Sequence, residues 1–158
     1  MIEIEQSTQA SLSGDQIARI QLLKAWNLAH LQNRICEKMG WTPGAAEEAV
    51  NEYRKFVGVV SLNPERPYGV TEAIDAVWHE HILNTRDYAA FCESSVGTFL
   101  HHEPQPQHVV RSSGFEELRA NTVSEIRRVF AGPVSPLWSQ EQSESVAKCC
   151  THVAAGRA

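Results

Sequence analysis

Four of the chain's seven histidines fall in one stretch, Thr71 to Pro104, together with Cys92. It reads TEAIDAVWHEHILNTRDYAAFCESSVGTFLHHEP, with His79 and His81 near one end and His101 and His102 at the other. Imidazole nitrogen and thiolate sulfur are the donors that zinc and other borderline transition ions prefer. The chemistry these residue types suggest is therefore metal binding, by zinc or iron. Spacing limits how they can converge. On a straight helix His79 and His81 lie ~200° apart, so only one can face an ion unless the helix departs locally from regularity. His81 shares a helical stripe with Thr85, Tyr88 and Cys92, yet His81 and Cys92 would be ~16 Å apart along an unbroken helix. Both can be ligands only if the chain breaks or reverses at Asn84-Thr85.

The pair His101-His102 follows Gly97 and can fold back, so that a His-x-His, a cysteine and a His-His pair close a tetrahedral site or an open three-ligand one. Asp75 lies one turn before His79, placed to accept its second ring proton. Trp78 would wall the site, and Tyr88 lies beside it. An open coordination position would let a bound water be activated, with Glu80 or Glu103 as base. No His-Glu-x-x-His motif is present and no substrate is indicated. The competing reading is a non-catalytic protein-protein interaction module in which the histidines form a hydrogen-bonded core. A third candidate is the tail Cys149-Cys150-Thr151-His152, whose adjacent thiols point in different directions but can capture a soft metal or be oxidised. His30 and Cys36 read as core or surface residues of the first helix, and Trp26, Tyr53, Phe56 and Phe91 as core aromatics.

The elements that must hold these side chains are helical. Ile17, Ile20, Leu28, Leu31 and Ile35, with Leu23 at their edge, make one apolar stripe and predict a single long helix ending near Gly40. Thr42-Pro43 is a helix start, since Thr can cap and Pro fits the first helical position, and Ala46, Val50, Tyr53, Phe56, Val57 and Val60 mark a second helix over 43–61. Asn63 to Gly69 is a loop. Thr71 reads as the N-cap of a third helix that restarts or bends at Thr85. Glu103 to Gly114 reads as a loop, and Phe115 to Phe130 as a further helix closed by Gly132-Pro133. The expectation is an all-α fold, an irregular bundle of four to five main helices over 14–142, with a flexible lead-in at 1–13 and a flexible cysteine-containing tail at 143–158.

The composition agrees with one such domain, at 158 residues, 42% hydrophobic and 21% charged. A net charge of -5 argues against a phosphate-tracking surface and hence against a nucleic-acid partner. The start MIEIEQSTQASLSGDQ lacks the basic and apolar parts of a signal peptide, which predicts a cytoplasmic protein, and no run approaches the ~20 apolar residues of a membrane span.

The run Asp75-Ala76-Val77-Trp78-His79-Glu80-His81-Ile82-Leu83, then Tyr88, then Gly97 through His102-Glu103-Pro104, resembles the signature of the glycine-rich domain-containing protein-like family over roughly residues 50 to 104. The preceding Tyr53-Arg54-Lys55-Phe56 and the later Phe130 to Trp138 are similar as well. The resemblance implies that His79, His81 and His102 are the principal ligands, ahead of Cys92 and His101, and it implies no reaction, since a fold-level analogy does not carry one.

Overall fold

The computed structural model describes residues 2–139, 143 and 144. Among these residues there is no strand, and the chain forms eight α-helices: α1 (Gln6–Gln9), α2 (Gly14–Ala25), α3 (Ala29–Met39), α4 (Pro43–Leu62), α5 (Glu72–Leu83), α6 (Thr85–Ser95), α7 (Gln107–Val110) and α8 (Ser113–Val129). A 3-10 turn follows at Pro136–Trp138. The all-α class holds, but eight helices exceed the expected four to five. Among the described residues no helix is long and apolar enough to cross a membrane.

The excess has local causes. The single helix expected from residue 14 to Gly40 is two helices, because Trp26 takes an extended backbone (ψ 130°). The break is satisfied from both sides. Asn27 Oδ1 accepts from the Ala29 N–H at 3.0 Å, starting α3, while Arg54 of α4 donates to the freed carbonyls of Leu23 (2.6 Å) and Trp26 (2.7 Å). Helix ends leave such carbonyls without partners, so a guanidinium reaching them from another helix makes the break affordable. The expected lead-in forms α1 and lies along α8: the Glu5 N–H donates to the Val129 carbonyl at 2.9 Å, and Ile2 is buried. The expected loop before α8 contains α7.

The centre of the molecule is α4. Thr42 Oγ1 accepts from the Ala45 N–H at 3.2 Å and Pro43 opens the helix, as the sequence predicts. Its residues Ala46, Ala49, Val50, Tyr53 and Val57 are buried against α2, α3, α5 and α8. Each large apolar side chain removed from water in this way stabilises the fold by ~1.5–3 kcal/mol before entropy is counted. On another flank the buried Glu52 pairs with Lys55 at 2.7 Å and accepts from Trp138 Nε1 at 2.6 Å, which docks the 3-10 turn on α4.

The start of α5 is capped from a distance. Thr71 holds the N-cap position, but its hydroxyl donates to the Leu137 carbonyl at 2.8 Å. The Ala73 N–H is taken instead by Ser143 Oγ at 2.9 Å, and Ser143 is 1% exposed. The sequence had put Ser143 at the head of the tail. Replacing Ser143 by Ala should therefore lower stability by about 1 kcal/mol, the usual cost of losing an N-cap acceptor, measured by urea unfolding. An unchanged midpoint would show that Ala73 finds another acceptor. The sequence also suggests a short polar helix over 140–148, which apart from Ser143 and Glu144 lies outside the described residues, as do Cys149, Cys150 and His152.

Candidate metal centre

Asp75 and His79 are four residues apart on α5 and so share a face. Ala73, Ile74 and Val77, all buried, fix α5 in the core and turn that face outward. The third member arrives on a returning segment. After α6 the chain reverses at Gly97, whose φ of 89° suits glycine, and whose N–H closes the helix on the Cys92 carbonyl at 3.1 Å. Arg19 of α2 holds the turn by donating to the Val96 carbonyl at 2.6 Å. A relay then clamps the returning segment to α5: Trp78 Nε1 donates to the Tyr88 hydroxyl at 2.8 Å, and that hydroxyl donates to the Leu100 carbonyl at 2.5 Å.

Two residues further on, His102 Nε2 meets Asp75 Oδ1 at 2.6 Å. The other oxygen, Oδ2, lies 3.3 Å from His79 Nδ1, and the two imidazole rings are 4.4 Å apart. One potential ligand atom from each of Asp75, His79 and His102 lies within 4.8 Å of the others. Trp78 backs the group, its ring 4.5 Å from that of His102. The side chain of His102 is 9% exposed and that of His79 49%, so the group is walled on one side and open on the other. The open side faces a cavity of about 560 Å³ lined by apolar Phe56, Val110, Phe115 and Leu118 and by polar His101 and Glu103. Two imidazoles and one carboxylate with positions left open is a donor set that suits non-haem iron and open zinc sites.

His81 belongs elsewhere. It is fully buried, with Nδ1 2.9 Å from the Tyr53 hydroxyl and Nε2 2.9 Å from Asp87 Oδ2. Burial holds its imidazole down at about 4, against the opposing pull of Asp87. At neutral pH the ring is therefore neutral, which assigns Nε2–H as donor to Asp87 and Tyr53 O–H as donor to Nδ1. His30 Nε2 lies 3.3 Å from the same Asp87 oxygen, and Trp26 Nε1 donates to the other at 3.1 Å. The opposition of His79 and His81 on the helical wheel thus appears as two separate groups on two sides of α5.

The remaining candidates are placed as follows. Cys92 is buried, its thiol pushed up by burial despite the Leu100 backbone and the Tyr88 hydroxyl, and it is in neither group. His101 lines the cavity and packs against Phe99 at 5.0 Å, outside the Asp75 group. Asp75, expected to hold His79 from behind, stands as close to the centre as the imidazoles do. Tyr88 acts through Trp78 and Leu100. Burial pushes the Glu80 carboxyl up, but Lys38 (2.7 Å) and Arg34 (2.6 Å) outweigh it and hold the group below the ordinary carboxylate range. Glu80 is therefore committed to α3 and is not a base for this site, whereas Glu103 lines the cavity. Sequence reasoning missed His30 and Asp87. The one available signal was that Asp87 sits in the first turn after the break at Asn84.

No curated protein and no solved structure matches the chain. The family comparison overturns the resemblance to the glycine-rich domain-containing protein-like family, because the Val-Trp-His-x-His run and both histidine groups lie inside residues that a different family accounts for. Matched over residues 17–131, the chain belongs to the UCP032817-like family.

Proposed function

We propose that the protein binds a divalent transition ion, zinc or iron, through Asp75, His79 and His102, and that the ion is reached from the adjoining cavity. The observation that carries this is the Asp75 carboxylate set between two imidazoles at 2.6 and 3.3 Å on the wall of that cavity. Helix spacing brings Asp75 to His79, but only the fold brings His102, and the Trp78–Tyr88–Leu100 relay holds it there. The open side leaves room for a water or a small ligand on the ion. Glu72 and Glu103 are the glutamates on the lining that could take a proton from it.

An ion that binds only the folded chain adds RT ln(1 + [L]/Kd) to stability, ~2.7 kcal/mol at a hundredfold excess over Kd. Melting of the untagged protein should therefore rise on adding zinc and fall back in chelator, and His102→Ala should remove at least half of that increment. A melting curve indifferent to chelator, or an increment unchanged by His102→Ala, would overturn the proposal.

A further inference from the structure

We propose that the His30, His81 and Asp87 group is a second binding site for a divalent first-row ion, zinc foremost, that ties α3, α5 and α6 together. It stands independently of the site at Asp75. Its three donors come from three helices, so no helical spacing forces them together. Even so, His81 Nε2 and His30 Nε2 approach one oxygen, Asp87 Oδ2, at 2.9 and 3.3 Å, and the ligand atoms all lie within 4.8 Å.

Each donor except one is held from behind. Trp26 Nε1 fixes the far oxygen of Asp87, and the Tyr53 hydroxyl fixes the far nitrogen of His81. Liganding imidazoles and carboxylates are commonly oriented by such partners. The exception points to the ligand: His30 Nε2 is buried and makes no hydrogen bond among the described residues. Buried polar atoms are nearly always paired, and an ion between His30, His81 and Asp87 would pair this one. Of the three donors His30 alone borders the neighbouring cavity of about 450 Å³, together with Asn33 and Asn84.

Binding has a stated cost. With the ion on His81 Nε2 the ring proton sits on Nδ1, and Tyr53 turns from donor to acceptor, so its own proton loses its acceptor. Arg54 adds repulsion from its side, although its guanidinium is already engaged by the carbonyls of Leu23 and Trp26. The one carboxylate and the otherwise orphaned nitrogen have to outweigh both.

The test counts zinc per chain, by mass spectrometry after equilibrium dialysis, in the full chain carrying Cys149→Ser and Cys150→Ser so that tail thiols add nothing. The expected counts are two for that protein, one for His102→Ala, one for His30→Ala and none for both together. His30 is the residue to vary because its side chain is 37% exposed, whereas His81 is fully buried. As a readout that needs no His30 variant, Co²⁺ added to His102→Ala protein should quench the indole of Trp26. One zinc that His102→Ala abolishes and His30→Ala leaves, with no Co²⁺ quenching in His102→Ala, would overturn the second site and leave the first. One zinc lost with His30→Ala and kept with His102→Ala would support the second site and overturn the first.

Discussion

In the presence of chelator, acidification from pH 7 to pH 4 should remove about 3 kcal/mol of unfolding free energy through His81 alone. The folded chain holds this imidazole at about 4 because it is fully buried, while the unfolded chain restores it to about 6.5. Above about pH 6.5 both states carry a neutral ring and the contribution is intact. Between about 6.5 and about 4 only the unfolded chain takes the proton, so stability falls by ~1.4 kcal/mol for each pH unit. Below about 4 both states are protonated and the loss is complete. Glu80 also has a lowered carboxyl, so its contribution disappears as pH falls below the ordinary carboxylate range and adds to the loss at the acid end. The window from pH 6.5 to 5 therefore separates His81 from Glu80. Urea unfolding at a series of pH values should show a loss of ~2 kcal/mol there. A flat profile across that window would mean that His81 is not sealed between Tyr53 and Asp87.

Trp78→Ala should cost about 3–4 kcal/mol, the range for removing a large aromatic from a packed site. Its ring lies 5.1 Å from that of Phe56 and 4.5 Å from that of His102, and its Nε1 donates to Tyr88. The substitution opens a hole beside α4 and releases the clamp that sets His102 against Asp75. Trp78→Phe separates the two effects, because it keeps most of the packing and loses a hydrogen bond worth about 1 kcal/mol. Both variants should bind zinc more weakly than the wild type, with Trp78→Ala the weaker. Wild-type stability in Trp78→Ala would contradict the packing described for this ring.

What could be seen in the sequence was what local spacing determines. Thr42-Pro43 opens α4 as its chemistry requires, the break at Asn84-Thr85 is present, and the i, i+4 pair Asp75–His79 faces outward together. What could not be seen depends on side chains arriving from elsewhere. The stripe from Ile17 to Ile35 is continuous on paper, and the chain breaks at Trp26 because Arg54, some thirty residues away, satisfies the exposed carbonyls. The amide that Thr71 was expected to cap is met by Ser143. His30 and Asp87 joined no motif, since their meeting with His81 depends on how α3 and α6 cross α5. Cys92 is a ligand candidate by residue type, but its place on α6 puts it in neither histidine group, which no spacing in the chain reveals.

The central claim is that Asp75, His79 and His102 hold an ion. X-ray absorption on the zinc-loaded full chain carrying His30→Ala, which leaves this site alone among the two histidine groups, reads the ligands directly. The account predicts a shell of nitrogen and oxygen at about 2.0–2.1 Å with the outer scattering of two imidazoles and no sulfur. A sulfur shell at about 2.3 Å, placing the ion on Cys92 or on the Cys149-Cys150 tail, would contradict it.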